Sequence, residues 1–261
     1  LECASRGKNL LLVALPGKEL HDLATFLRKN YPIEVIAIEK DLSDTQQCKM
    51  LFREVKEAHY KVNMLINNVG LGGTYSFNEG DIAFFEKQVL LNVVTTTMIT
   101  KLFVNELEEN QPSHILNVGS LASFFYLPRK QVYGATKLFV YSFSRSLRQE
   151  LKDKGISVSV LCPGGINTNL QVTLMNKTGS WFSRNSIMSP EAVARIAIDK
   201  TLKGKEVIIP GKLNRFYLFL GRMLPDAITR GIARSQIKNL VAQNPFMAFL
   251  RKKPSKRQTA A

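Results

Sequence analysis

Ile115-Leu-Asn-Val-Gly-Ser120, followed by Tyr133-Gly-Ala-Thr-Lys137, decides how this chain is read. The first piece is an apolar strand that ends on a serine. The second opens a helical pattern that runs without proline to Glu150. On a helix, residues four apart share a face, so Tyr133 and Lys137 point the same way. An ammonium within ~4–6 Å of a phenol lowers its pKa by about 1–3 from a reference near 10. That spacing predicts a tyrosine poised for proton transfer, with Ser120 offering a hydroxyl to a carbonyl or alcohol. A decoy shares the spacing: Tyr126 and Lys130, with Ser113 thirteen residues before. Pro128 opposes a helix there, and Ser113 is expected to precede its strand rather than follow it.

Working outward, apolar runs alternate with helical periodicity. Strands are expected at Leu10–Leu15, Ile33–Ile38, Val62–Ile66, Ile115–Val118, Ile156–Leu161 and Val207–Ile209. Helices follow Pro16-Gly17 and Ser43-Asp44, cover about 81–109 and Tyr133–Lys152, and start again at Ser189-Pro190. This alternation predicts a single-domain α/β fold, doubly wound around a mostly parallel, Rossmann-like sheet. Ligands of such sheets bind beyond the carboxyl ends of the strands. Asp41, Asn67 to Gly70, Ser120 and Pro163-Gly164 all fall there. Residues 169–188, with Trp181 and Phe182, lack periodicity and are read as a flap over the substrate or an ordinary surface excursion.

The 261 residues suffice for one core. No apolar run approaches the ~18–20 residues that span a bilayer, and no secretory signal is visible. Cys3, Cys48 and Cys162 are scattered, as are His21, His59 and His114, so no metal site is expected. The net charge of +15 is uneven: residues 212–261 hold eleven Lys/Arg and one acid, Asp226. The chain therefore divides into a body, residues 1–211, and a basic helical appendage and tail, 212–261. The appendage's mixed apolar and cationic residues suit either packing beside the substrate or contact with an anionic membrane surface. No recognition motif for nucleic acid accompanies the charge.

Taken together, these residues resemble the classical short-chain dehydrogenase/reductase family from Leu1 to about Gly211. Asn67-Asn68-Val69-Gly70 looks like the family's Asn-Asn-Ala-Gly motif. Asp41-Leu42 resembles the pair that contacts adenine. Asn92, Ser120, Tyr133 and Lys137 match the catalytic tetrad in order. Pro163-Gly164, with Ile166 and Thr168, looks like the loop that touches the nicotinamide and phosphates. The resemblance implies an oxidoreductase that reduces a carbonyl to an alcohol, or the reverse, on a hydrophobic or lipid-like substrate. Tyr133 would exchange the proton, Lys137 would lower its pKa and bind the nicotinamide ribose, Ser120 would hold the carbonyl, and Asn92 would hold a relay water. Lys18 and the absence of an acid at Leu15-Pro16-Gly17 favour NADP(H) over NAD(H). A homodimer or homotetramer is implied, in the cytoplasm or at a membrane.

The family's first strand and glycine-rich turn have no counterpart here. Leu1–Asn9 looks like the end of the following helix, so the chain is read as a piece lacking roughly 25–30 residues of a first strand-turn-helix. Its sheet is expected to miss the central strand and its affinity for dinucleotide to be poor. The alternative is a non-catalytic interaction or scaffold protein that keeps the fold without a phosphate cradle.

Overall fold

The computed structural model describes residues 1–166, 187–223 and 231. Six strands are all parallel: β1 (Leu10–Ala14), β2 (Val35–Glu39), β3 (Met64–Asn67), β4 (Ser113–Val118), β5 (Ile156–Leu161) and β6 (Val207–Ile208). Between them run α1 (Lys18–Asn30), α2 (Thr45–Glu57), α3 (Ile82–Val89), α4 (Thr96–Glu109), α5 (Gln131–Leu151), α6 (Pro190–Leu202) and α7 (Lys212–Met223).

The strands read as continuous apolar runs because both faces are covered. Leu10 and Leu12 of β1 pack with Ala24 and Leu27 of α1, while Leu11 and Val13 join the core beneath α2 and α4. Likewise Ile115 packs toward Phe103 and Leu107 of α4, and Leu116 toward Val193 and Ala197 of α6. Alternate residues thus feed two helical layers, which is the doubly wound arrangement.

Helix starts follow the expected caps. Asp44 accepts from the Gln46 N–H at α2 and Ser189 from the Ala192 N–H at α6. Two readings need correction. Ser113 is the first residue of β4, where its hydroxyl donates to the Leu107 carbonyl. And α3 to α4 form one helical run, Ile82–Glu109, long and apolar enough by length and composition to cross a membrane. Six polar residues in that run are buried: Gln88, Asn92, Thr95, Thr96, Thr100 and Glu106. Its charges sit toward its two ends, so the central stretch is more apolar than the sequence suggests at first sight.

The sheet is divided. β1 pairs only with β2, and β3 pairs only with β4, giving two-stranded and four-stranded sheets. The facing edges of β1 and β3 are unpaired among the described residues, and Ile66 on β3 is 38% exposed. One apolar cluster still bridges the division, joining Leu11, Val13 and Ile38 to Leu65, Ile115 and Val158.

That bridge depends on α4. Leu107 is fully buried in it, and truncation leaves a void that neighbours fill only in part. Leu107→Ala is expected to lower unfolding free energy by about 3 kcal/mol, read from urea midpoints. A loss below about 1 kcal/mol would contradict this account of the core.

Candidate active site

The candidate residues gather at the carboxyl ends of β3, β4 and β5. Ser120 follows β4 in extended backbone, and its hydroxyl accepts the Ala122 N–H, capping the short 3₁₀ turn Leu121–Phe124. The Tyr133 phenol, in the first turn of α5, lies near enough to Ser120 for the serine side chain to draw its pKa down. Cys162 is fully buried beside Ser120, whose backbone N–H lies near the cysteine sulfur. Burial pushes the Cys162 thiol up to about 12, so it is a neutral packing partner and no nucleophile.

One turn along α5, Lys137 is 5% exposed and its ammonium donates to the Val118 carbonyl at 2.8 Å. Burial pushes its pKa down to about 8. Across the site, Asn92 sits in a wide π turn, Leu90–Thr95, between α3 and α4. Its amide accepts from the Leu71 N–H at 2.8 Å and donates to the Leu71 carbonyl (3.1 Å) and to Thr136 Oγ1 (2.9 Å). Both amide donors are therefore committed inside the protein. Gly70 lies between these groups: a Cβ there would stand 2.8 Å from Asn92 Oδ1 and 3.1 Å from Lys137 Nζ. Only glycine lets the end of β3 approach both.

The remaining candidates divide. Asn67 is buried and donates to Asn117 Oδ1 and Thr100 Oγ1, stitching β3 to β4 and α4. It supports the site without facing it, whereas Asn68 is exposed and Val69 partly so. Asp41 holds the Ser43 N–H and hydroxyl through one oxygen, and these bonds keep its carboxyl below the usual range. The Leu42 carbonyl accepts from Thr95 Oγ1, joining the Asp41 loop to the π turn. The Pro163 carbonyl accepts the Leu121 N–H. Gly164 packs against Asn214 of α7, whose atoms lie 2.8 Å from where a Cβ would be. Ile166 bridges to Met188. Thr168 and nearly all of the expected flap lie outside the described residues.

Two expectations change. Lys18 is exposed and paired with Asp22 at 2.7 Å rather than reaching over the end of β1. An acid does stand nearby, supplied by β2: Glu39 accepts the Gly17 N–H and meets His21 at 2.9 Å. Second, Tyr133 is not depressed by Lys137 in this structure. Burial outweighs the influence of the Ser120 side chain and raises the phenol above its ordinary value.

Sequence reasoning missed four contributors. Thr136 lies inside the quoted motif but carries no signal of its partnership with Asn92. Cys162 was weighed only as a possible metal ligand or disulfide. Asn214 lies in the appendage, beyond the resemblance. Lys130, set aside as half of a decoy, places its ammonium 5.3 Å from the centroid of the Tyr133 ring.

Lys137 offers a test of the electrostatics that needs no turnover. Its folded pKa is about 8 and its unfolded reference 10.5. Between those values the unfolded chain binds more protons, so stability rises with pH. Lys137→Met should remove that rise, a difference on the order of 3 kcal/mol across the window. Urea midpoints from pH 7 to 10.5 would show it. A variant whose pH dependence matches the parent's would contradict a buried, weakly basic Lys137.

A nicotinamide cofactor fits part of this arrangement. The buried Lys137 ammonium has donors to spare beyond the Val118 carbonyl, and the neighbouring Ser120 and Tyr133 side chains sit at the same strand end. Asp41 stands at the end of β2 for the adenine side. Among the described residues, no glycine-rich turn lies between β1 and β3 to hold a pyrophosphate.

The comparisons with known proteins agree with this geometry. Residues 1–179 match the family model described as short chain dehydrogenase. The chain is 29% identical over 175 residues to the very-long-chain 3-oxoacyl-CoA reductase-A of Danio rerio, covering 65% of this chain and 54% of that protein. It is 29% identical over 198 residues to human 17-beta-hydroxysteroid dehydrogenase type 3, covering 71% and 61%. It thus spans little more than half the length of these curated relatives. Among solved structures, a short-chain dehydrogenase from Sphingobium yanoikuyae in complex with NADPH superposes with a TM-score of 0.71 at 25% identity, over 84% of this chain and 85% of that one. With its family pattern filled from Leu1 to beyond α5 and its tetrad residues gathered at the strand ends, this chain belongs to the short-chain dehydrogenase family.

Proposed function

We propose that this chain is the catalytic body of an NADP(H)-dependent reductase that converts a hydrophobic carbonyl compound to its alcohol, or the reverse. The observation that carries this reading is the nearness of the Ser120 and Tyr133 side chains, with the Lys137 amine buried one turn away. Ser120 donates to the substrate carbonyl oxygen and fixes its position. Tyr133 delivers its proton to the same oxygen as negative charge develops there. Lys137, a cation at neutral pH, stabilises the phenolate left behind. A phenol raised by burial keeps its proton until that charge appears, which suits it as the acid. When bound, the nicotinamide supplies the hydride. Asn92 keeps the π turn and the Leu71 peptide in place, and we assign the relay water to its main-chain oxygen, since its side chain is committed.

A hydrophobic substrate is supported by Tyr75, Phe84 and Phe85, which surround a gap of about 10 Å³ beside Tyr133. The relatives, an acyl-CoA reductase and a steroid dehydrogenase, point the same way. The preference for NADP(H) rests on β1 ending without an acid; Glu39 from β2 and the pairing of Lys18 with Asp22 weigh against it. In this family's manner, a dimer or tetramer through α4 and α5 is part of the same proposal. Tyr133→Phe is expected to cut carbonyl reduction about 10²–10⁴-fold, measured as NADPH and NADH consumption side by side on long-chain ketones. Full turnover by this variant would overturn the mechanism. Failure of the parent to reduce any carbonyl with either cofactor would instead favour a scaffold role for the fold.

One further observation favours membrane contact. On α7, Leu213, Phe216 and Phe219 are 37%, 53% and 61% exposed along one face, beside the exposed Lys212 and Arg215. Ten of the fifteen net positive charges lie in residues 212–261. Apolar and cationic groups together suit an anionic lipid surface. The intact chain should sediment with phosphatidylserine vesicles, and a Phe216→Glu, Phe219→Glu variant should lose at least tenfold in partitioning. Equal sedimentation of parent and variant would reject α7 as the contact.

A further inference from the structure

The loop that leads into α5 carries two cations the proposed chemistry does not use. Arg129 is held with φ +68, a left-handed backbone uncommon for a side-chain-bearing residue. Its carbonyl accepts the Tyr75 N–H at 2.9 Å, which ties this loop to the segment after β3. Its Nε is buried and has no hydrogen-bond partner. Lys130, the next residue, is partly buried and sits over the Tyr133 ring. Both residues line the cleft shared with Tyr75, Phe84, Phe85 and Tyr133.

Among the described residues no carboxylate answers these charges, and neither cation forms an ion pair. Burial alone lowers the Lys130 pKa, with no neighbouring charge opposing it. The segment 167–186 contains Lys177 and Arg184 but no Asp or Glu. Two partly desolvated cations without a counter-ion are costly to the protein alone. An oxyanion arriving with a ligand would supply the missing acceptor, and an arginine fork suits carboxylate or phosphate oxygens.

We propose that Arg129 and Lys130 form an anion subsite beside Tyr133, so that the preferred substrate carries a carboxylate or phosphate on an otherwise apolar chain. The subsite deepens the reductase reading and depends on it only for placing the reacting carbonyl at Tyr133. The aromatic wall of the cleft takes the apolar part, and the cations take the charged group. The cations therefore select among hydrophobic carbonyl compounds by charge.

The test is calorimetric titration of the intact chain with decanoate, decyl phosphate and neutral decanamide, beside reduction assays on 4-oxodecanoate and its methyl ester. At least one of the two anions is expected to bind tenfold or more tighter than the amide, and whichever does names the group recognised. Arg129→Gln and Lys130→Gln should each shrink that ratio, and the double variant should abolish it. Lys130→Arg should keep it. Equal binding of anions and amide by the parent, or an unchanged ratio in the double variant with an unchanged melting temperature, overturns the subsite. Anion-selective binding without turnover of either ketone supports the subsite and removes the reductase reading. Reduction of acid and ester with equal kcat/KM keeps the reductase and overturns the subsite.

Discussion

A lysine amine buried against the end of a parallel strand constrains the rest of this molecule. The bond from Lys137 to the Val118 carbonyl fixes how closely α5 must lie on β4 and β5. A flexible cation removed from water is tolerated only where acceptors are already in place. The carbonyl at the end of β4 provides one because the ladder stops there. The same closeness excludes a Cβ at Gly70 and draws Asn92 in from the opposite helix. Ser120 and Tyr133 then meet as a consequence of where Lys137 is seated.

Polar groups are shared among elements throughout this region. Asn92 joins the π turn to the Leu71 peptide and to Thr136 on α5. Asn67 joins β3 to Asn117 on β4, which in turn donates to Ser144 Oγ of α5. Thr95 connects the Asp41 loop to the same π turn. Buried polar networks of this kind are rigid when satisfied. They hold three strand ends and one helix in register, the condition for a preorganised site.

Much of this was legible in the sequence. The alternation of apolar runs and helical periods located every strand, because parallel strands covered on both faces leave an unmistakable apolar signature. The spacing also placed Ser120 and Tyr133 at one strand end. What stayed hidden was the balance of forces at each atom. Spacing says that Tyr133 and Lys137 share a face, but not that burial outweighs their attraction. Lys18 looked free to reach a phosphate, yet Asp22 lies one turn along α1 and Glu39 arrives from a neighbouring strand. Lys130 seemed to belong to a broken helix, and it is the break at Pro128 that lets it fold back over the Tyr133 ring. Asn214 comes from a helix whose sequence gives no sign that it reaches Gly164.

The division of the sheet has a consequence for solution behaviour. Among the described residues, one edge of β1 and one of β3 each present a row of backbone donors and acceptors with no ladder partner. Natural proteins protect such edges with charges, prolines or bulges. β1, Leu-Leu-Leu-Val-Ala, carries none of these. It is a short, uncharged, β-prone segment, the kind that recruits extended chains by lateral hydrogen bonding. Concentrated samples of this chain would therefore be drawn toward intermolecular strand pairing, and any extended segment that filled the slot would act as a solubilising plug.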